Sequence, residues 1–219
     1  MIPKHYYWYF KKALSPSICN KIIKLGLSKE KEIAITYAVN DASSGSFRNV
    51  KKAPLTKQEK QIVFKKRKSH VSWLNDPWLY KLIHPFVATA NKNAEWNFEF
   101  DWSENMQFTH YTKRQFYGWH NDSSPLPGSD PSTPQYGKIR KLTTAISLSK
   151  PTSYQGGQFQ MDFRAEDPDE SDRQFQNVNE LNEQGTLMCF PSFVWHRVQP
   201  LTKGKRYSLI IWHWGKPFK

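Results

Sequence analysis

His120 and Asp122, in the stretch YGWHND (117–122), are the residues whose types and spacing most directly suggest chemistry. On a β-strand, residues two apart point to the same side, so we expect this imidazole and this carboxylate to face one space. A third candidate is His196, in FPSFVWHRVQP near the C-terminus. Two imidazoles and one carboxylate that leave coordination positions open form the facial triad of non-haem Fe(II) oxygenases. The three residues are therefore predicted to hold iron.

Arg206 is the residue that strengthens this prediction. A triplet of this kind is weak evidence alone, because a chain with seven histidines can contain one by chance. Arg206 comes ten residues after His196 and opens the apolar stretch RYSLIIW. A guanidinium binds a terminal carboxylate through two parallel hydrogen bonds. A 2-oxo dicarboxylic acid would then chelate the iron at one end and pair with Arg206 at the other.

The order of elements predicts how these residues are positioned. Helices are expected to begin at Ser15-Pro16 and at Asp76-Pro77, where a capping residue precedes proline. Apolar residues then recur with a period of two in eight stretches: 96–102, 106–112, 116–122, 141–149, 157–163, 185–191, 194–200 and 206–214. Helices followed by seven or eight short strands indicate an α+β domain with a two-sheet barrel or jelly roll.

Two long segments interrupt the strands. Residues 123–138 form a loop rich in Pro, Gly and Ser, and residues 164–184 form an acidic excursion. Long loops in a compact barrel are often lids or binding loops. The loop at 123–138 follows the predicted ligands directly, and our hypothesis is that it closes over the substrate.

Composition limits the cellular setting. The 219 residues fit one domain, which we divide into a helical support region (1–95) and a catalytic core (96–219). Cys19 and Cys189 lie far apart and are predicted to be buried apolar residues in a reducing compartment. Neither a signal peptide nor an apolar run of the roughly 18 residues that a membrane span needs is visible. We expect a cytoplasmic protein (in the host cytoplasm if it is viral) without a membrane partner.

The net charge of +13 raises nucleic acid as a partner. Basic residues are crowded into residues 51–68, whereas acidic residues are crowded into residues 162–183. The basic run is interpreted as a solvated helix or loop, because most charge runs are. Nucleic acid is therefore not favoured, and an acidic protein is a comparable candidate.

Residues 107–212 resemble the 2-oxoglutarate/Fe(II)-dependent dioxygenases, within them the prolyl 4-hydroxylase superfamily, and in particular its bacterial and phage-type branch. The matching pieces are QFTHY, YGWHND, RKLTTAISLS, YQGGQF and GTLMCFPSFVWHRVQPLTKGKRYSLIIW, in this order. The preceding hundred or so residues resemble the helical support layer of such enzymes only loosely. The resemblance implies a double-stranded β-helix, a jelly-roll or cupin-like barrel with N-terminal supporting helices.

The same resemblance implies roles for individual residues. It makes three residues the iron ligands and catalytic residues: His120, Asp122 and His196. Arg206 would bind the distal carboxylate of 2-oxoglutarate, and Tyr111 would hydrogen-bond that cosubstrate. Tyr117 is similar to an aromatic residue on the substrate side. The implied cofactors are Fe(II), 2-oxoglutarate and O₂, with ascorbate as a reductant.

The implied reaction is hydroxylation of an unactivated C–H, foremost of a prolyl residue in a protein or peptide, with succinate and CO₂ as coproducts. A nucleic-acid demethylase of the same superfamily is an alternative. Its alkylation-repair branch carries a second arginine six residues after the first, where this chain has Trp212. A non-catalytic binding module and a zinc hydrolase are further alternatives, but a zinc hydrolase explains neither Arg206 nor Tyr111. The oligomeric state is left open.

Overall fold

The computed structural model describes residues 3–34, 55–123, 126–164 and 175–218. Its three helices are α1 (Pro16–Ser28), α2 (Lys57–Lys66) and α3 (Pro77–Asn93). Its strands are β1 (Trp8–Phe10), β2 (Glu32–Ile33), β3 (Arg67–Lys68), β4 (His70–Leu74), β5 (Trp102–Ser103), β6 (Met106–Tyr111), β7 (Phe116–His120), β8 (Ile139–Ser147), β9 (Tyr154–Gly156), β10 (Phe159–Asp162), β11 (Phe175–Asn177), β12 (Leu187–Pro191), β13 (Trp195–Val198), β14 (Leu201–Gly204) and β15 (Arg206–Gly215). Two short 3₁₀ helices span Pro151–Ser153 and Asn179–Asn182.

These strands form two main antiparallel sheets. The large sheet has eight strands in the order β1-β12-β8-β15-β6-β4-β2, with β5 also paired to β15, and the small sheet has the order β11-β10-β13-β7-β3. A separate pair joins β14 to β9. One cavity is lined by residues of both main sheets. The predicted α+β double-stranded β-helix is confirmed, although the two sheets share no strand and the barrel is not closed.

The large sheet has an apolar outer face that α1 and α3 cover. The predicted start of α1 is confirmed, because the Ser15 hydroxyl accepts a hydrogen bond from the Ile18 amide. The core between the helices and the sheet contains buried residues of α1 and α3: Cys19, Ile22, Leu79, Ile83 and Val87. It also contains strand residues that alternate with those facing the cavity: Phe108, Leu142, Ile146, Leu209 and Ile211. Both cysteines are buried and free, as predicted. Among the described residues, no helix is long and apolar enough to cross a membrane.

Gly26 brings α1 close to the large sheet. A β-carbon at this position would overlap the ring of Phe108, and the Gly26 carbonyl accepts a hydrogen bond from the Ser72 hydroxyl. Gly26 therefore serves the contact between helix and sheet. The helix ends two residues later, at Ser28.

Gly26→Ala is expected to lower the free energy of unfolding by about 1–3 kcal/mol, the usual cost of overpacking a core. Alanine is the better helix former by about 1 kcal/mol, so the steric overlap must outweigh that gain. Urea denaturation would measure the change. Leu27→Ala is the control, because Leu27 is half exposed. A Gly26→Ala protein as stable as the parent would refute the close contact.

The prediction of a strand at residues 96–102 was wrong, since only β5 (Trp102–Ser103) is a strand there. Glu95 and Asn97 have positive φ angles of 58° and 51°, which a strand does not permit. The backbone amides of this segment donate hydrogen bonds to Asn91, near the end of α3, and not to a neighbouring strand. The Asn91 carbonyl accepts from the amides of Trp96 and Asn97, and its side chain accepts from the Phe98 amide. Trp96 and Phe98 are still buried in the core, so the apolar alternation reflects burial without a strand.

The N-terminal part contributes strands as well as helices. β1 extends the large sheet beside β12, and β4 pairs with β6 inside that sheet. The division at residue 95 remains a prediction. The predicted start of α3 at Asp76-Pro77 is correct, but the Asp76 side chain makes no capping hydrogen bond. Of the two charged segments, residues 51–54 and 165–174 lie outside the described residues.

Candidate active site

The two predicted histidine ligands lie opposite each other on neighbouring strands of the small sheet. His120 is the last residue of β7, and it pairs in register with His196 on β13. Asp122 follows two residues after His120. Its Oδ1 lies 3.8 Å from His120 Nε2, and its Oδ2 lies 3.5 Å from His196 Nε2. The structure thus brings the three predicted residues together, with one ligand atom of each within 4.8 Å of the others.

Backbone carbonyl groups fix the tautomer of both histidines. His120 Nδ1 lies 2.8 Å from the Gly118 oxygen, and His196 Nδ1 lies 2.9 Å from the Val194 oxygen. A carbonyl only accepts, so each Nδ1 carries the proton and donates it. The Nε2 lone pairs are then free and point toward Asp122, which is the arrangement that metal-bound histidines adopt.

Asp122 is held at three places by residues that the sequence did not reveal. Its amide donates to the Ser192 carbonyl at 2.8 Å, and Thr143 Oγ1 donates to Oδ2 at 2.9 Å. Arg140 Nη1 reaches its backbone carbonyl at 3.4 Å. Thr143 also hydrogen-bonds the Ser192 hydroxyl at 3.0 Å, which joins these contacts into one network. The position of the carboxylate is therefore determined before any metal binds.

Electrostatics favour the protonation states that a metal needs. Burial lowers the pKa of His120 well below its usual value, and His196 adds to the effect, so the imidazole is neutral near pH 7. Burial alone would raise the pKa of Asp122, but His196, His120 and Arg140 hold it below its usual value. Two imidazoles and one carboxylate form a ligand set that fits a divalent metal with open coordination positions. Their role as iron ligands remains a prediction.

Arg206 and Tyr111 lie on adjacent strands of the large sheet, directly opposite each other in register. Both line the cavity that contains the triad. Arg206 is only 3% exposed, and its Nε has no hydrogen-bond partner. The hydroxyl of the buried Ser147, which faces Ser208 across the sheet, also lacks a partner. A buried guanidinium with an unused donor fits a carboxylate at this end of the cavity.

Tyr117 lines the same cavity, and its ring is covered on two sides. The ring stacks on His120 with centroids 3.4 Å apart, and the guanidinium of Arg67 lies 4.3 Å from its centroid. The sequence does not single out Arg67, because it lies within the basic run 51–68, whose composition indicates a solvated segment. A usable signal was the spacing of Arg67 and Ser69, since residues two apart on a strand share a face.

Trp212 also lines the cavity, and Arg140 connects it to the support of Asp122. The Arg140 guanidinium lies 4.1 Å from the centroid of a Trp212 ring. The same guanidinium donates twice to Glu104, at 2.6 and 3.0 Å. The indole N–H of Trp214 donates to Glu104 as well. Arg140 is thus fixed by an ion pair on one side and an aromatic ring on the other.

Residues 106–214 match the family model of the 2OG-Fe(II) oxygenase superfamily. The PKHD-type hydroxylase YbiX of Escherichia coli O157:H7 is 33% identical over 106 residues, which are 48% of this chain and 40% of that protein. A PKHD-type hydroxylase of Pseudoalteromonas atlantica is 29% identical over 106 residues, 48% of this chain and 41% of that protein. The alignment thus spans about two fifths of the length of these curated relatives.

Solved structures match over nearly the whole chain. The viral collagen prolyl hydroxylase vCPH from Paramecium Bursaria Chlorella virus-1, in complex with 2OG, has a TM-score of 0.61 at 16% identity, covering 97% of each chain. A prolyl-4-hydroxylase from Pseudomonas putida has a TM-score of 0.58 at 16% identity, covering 98% of this chain and 95% of that one. At such low identity these matches establish the fold. The family match, over the segment that carries every predicted site residue, identifies residues 106–214 as belonging to the 2OG-Fe(II) oxygenase superfamily.

Proposed function

We propose that this protein is an Fe(II)- and 2-oxoglutarate-dependent dioxygenase that hydroxylates an unactivated C–H, foremost of a prolyl residue in a protein or peptide. The observation that carries the proposal is the convergence of His120, Asp122, His196 and the buried Arg206 on one cavity. When bound, Fe(II), 2-oxoglutarate and O₂ supply the oxidation, with succinate and CO₂ as coproducts.

The residues of the chain have separate tasks in this proposal. The triad would hold the metal through two Nε2 atoms and one carboxylate, the ligand set of sites that keep positions open for a cosubstrate and O₂. Arg206 pairs with the distal carboxylate of 2-oxoglutarate, and Tyr111, which is buried opposite it, contacts the same molecule. Both ends of the cosubstrate are then fixed, so its orientation at the metal is determined.

The prolyl substrate and the reductant are the finer parts of the proposal. The names of the similar proteins, which include a collagen prolyl hydroxylase and a prolyl-4-hydroxylase, support a prolyl residue. Ascorbate as a reductant and the closing role of residues 123–138 belong to the same proposal. Leu126 and Tyr136 in this loop are 73% and 56% exposed, and exposed apolar surface in a loop that follows Asp122 favours contact with a bound substrate.

The expected result of anaerobic addition of Fe(II) and 2-oxoglutarate is a weak visible charge-transfer band that requires both additions. The band arises because the 2-oxo acid chelates the ferrous ion, and Zn(II) in place of Fe(II) should give none. The product test then adds O₂ and proline-rich peptides and measures a one-oxygen mass increase. Asp122→Ala is its control, because an increase that survives this substitution is adventitious oxidation.

Absence of the band in a protein whose circular dichroism is that of the folded state would refute the proposal. The binding-module and zinc-hydrolase alternatives would then take its place. A band without any hydroxylated proline would retain the dioxygenase and reject the prolyl substrate. Salt-sensitive DNA binding together with that outcome would favour the demethylase alternative.

A further inference from the structure

Arg67 is a buried cation whose contacts in the described residues are all neutral. Arg67 is 4% exposed and lines the cavity that contains the triad. Nε donates to the Ser69 hydroxyl at 2.9 Å, Nη1 lies 3.5 Å from Gln107 Oε1, and Nη2 has no partner. A buried charge is costly unless an opposite charge and full hydrogen bonding compensate it. An anion at Arg67 would supply the opposite charge that its described contacts do not provide.

The proposed cosubstrate does not supply this anion. Asp122 is the only acidic side chain among the described residues that line the cavity, and Arg67 and Arg206 are the only arginines. Fe(II) and the two guanidinium groups would together carry four positive charges. Asp122 and doubly negative 2-oxoglutarate would supply three negative charges, so one positive charge remains. Because the two carboxylates of 2-oxoglutarate go to the metal and to Arg206, the guanidinium left over is that of Arg67.

Exposed lysines precede and follow Arg67 on the helix and strand that carry this part of the chain. We call them the basic ridge, which consists of Lys57, Lys60, Lys65, Lys66 and Lys68 on α2 and β3. Glu59 is the one acidic residue of α2, and its carboxylate caps the helix by accepting from the Thr56 amide. β3 pairs with β7, with Arg67 opposite Tyr117, so the basic ridge adjoins the strand that carries His120. A ridge of this sign attracts anions toward the cavity.

The aromatic rings of the cavity argue against a nucleobase as that anion's carrier. A base that enters an active site is held by stacking on free aromatic faces. Tyr117 is covered by His120 and by Arg67, and Trp212 has the guanidinium of Arg140 against its ring. A carboxylate needs no free ring face, and it pairs with a guanidinium through two hydrogen bonds.

We propose that the polypeptide substrate of this site is acidic, with a carboxylate beside the hydroxylated residue bound by Arg67 and further acidic side chains along the basic ridge. This inference rests on the proposed function and specifies its substrate class. It assigns a role to the basic run 57–68, for which the dioxygenase chemistry itself has no use. Arg67 contributes most, because its pairing is buried, whereas each exposed lysine contributes little.

The test is a synthetic peptide library with one fixed proline and flanking positions drawn from Glu, Lys, Gln, Ala and Ser. In one arm, the Fe(II) enzyme with 2-oxoglutarate and O₂ converts the library, and mass spectrometry identifies peptides that gained one oxygen. In the other arm, Co(II)-loaded enzyme with 2-oxoglutarate retains peptides without turnover. We expect Glu beside the proline to be enriched over Lys by about tenfold or more in both arms, as for a charge-assisted hydrogen bond.

Matched variants locate the source of the preference. The triple variant Lys57→Glu, Lys60→Glu and Lys65→Glu should lose the preference at distant positions. Its control, Lys24→Glu, Lys81→Glu and Lys92→Glu, makes the same charge change on exposed residues of α1 and α3 and should keep the preference. Arg67→Gln should lose the preference next to the proline, whereas Arg67→Lys, which keeps the charge, should retain part of it.

The outcomes separate this inference from the proposed function. Acidic peptides retained in the Co(II) arm without any hydroxylated product would support the acidic substrate and reject the prolyl reaction. Equal enrichment of Glu and Lys in both arms, or equal effects of the two lysine triples, would overturn the inference. So would an Arg67→Gln protein that loses 2-oxoglutarate affinity but keeps its peptide preference. If a twelve-nucleotide oligothymidylate bound more tightly than the acidic peptides at physiological salt, the inference would be overturned in favour of nucleic acid.

Discussion

His196→Ala is expected to weaken Fe(II) binding by more than about 100-fold. Removing a residue that only hydrogen-bonds a metal ligand typically costs about 10- to 100-fold, and removing a ligand itself should cost more. His196 supplies one of three ligand atoms, and its Nε2 lies 3.5 Å from the Asp122 carboxylate. Without the imidazole, two ligands remain, and they cannot hold the ion in a facial arrangement. The charge-transfer band of the ternary mixture should disappear, and hydroxylation should fall with it. Metal content after gel filtration and the anaerobic spectrum would measure both.

His84→Ala is the matched control for this substitution. His84 is another partly buried histidine, but it lies on α3, where its Nε2 contacts the Ser103 hydroxyl at 3.1 Å behind the large sheet. Its removal should leave iron binding and the band unchanged. Equal iron content in the two alanine variants would exclude His196 from the metal site and with it the triad. Thermal unfolding of each variant would check that both are folded.

The chemistry of the site was readable from the sequence because it depends on short-range periodicity. His120 and Asp122 are two residues apart, and a strand followed by an extended residue places both on one face. His196 lies near the start of β13 and Arg206 begins β15, and the structure puts these strands in the small and the large sheet, on facing sides of one cavity. The resemblance to a known family supplied the order of the motifs.

The supports of the site were not readable, because they depend on contacts between distant segments. Thr143 and Ser192 hold Asp122 from β8 and from the turn before β13, and nothing in their local sequence marks that contact. Arg67 lies in a run of lysines that looks solvated, yet it alternates with exposed neighbours on β3 and faces inward. Charge density along the chain indicates solvent exposure on average, so a single inward residue within it is hidden.

The fold was predicted in its class and misjudged in detail for a similar reason. Alternating apolar residues at 96–102 indicated a strand, but an alternation in burial arises whenever an extended segment lies on a core. Hydrogen bonds decide between the two, and here the amides turn back to Asn91 at the end of α3. The N-terminal strands β1 to β4 are two to five residues long, too short for a periodic pattern to identify.

Arg206→Gln is expected to raise the dissociation constant of 2-oxoglutarate by about 100-fold, which corresponds to about 2.7 kcal/mol and lies within the usual cost of removing one partner of a buried charge pair. Glutamine keeps an N–H donor but is shorter than arginine, has no charge and cannot form two parallel N–H hydrogen bonds with a carboxylate. Fe(II) binding in the absence of 2-oxoglutarate should not change, since the triad lies in the small sheet and Arg206 in the large one. Titration of the charge-transfer band with 2-oxoglutarate measures the constant directly.

Arg114→Gln is the control, because Arg114 is an exposed arginine in the turn between β6 and β7. It removes the same charge from the protein without touching the cavity, so its dissociation constant should match that of the parent. Arg206→Lys should fall between the two, since it retains the charge and loses the bidentate geometry. If Arg206→Gln bound 2-oxoglutarate as tightly as Arg114→Gln, the distal carboxylate would have to lie elsewhere. Arg67, the other buried guanidinium of the cavity, would then become its partner, and the acidic-substrate inference would lose its basis.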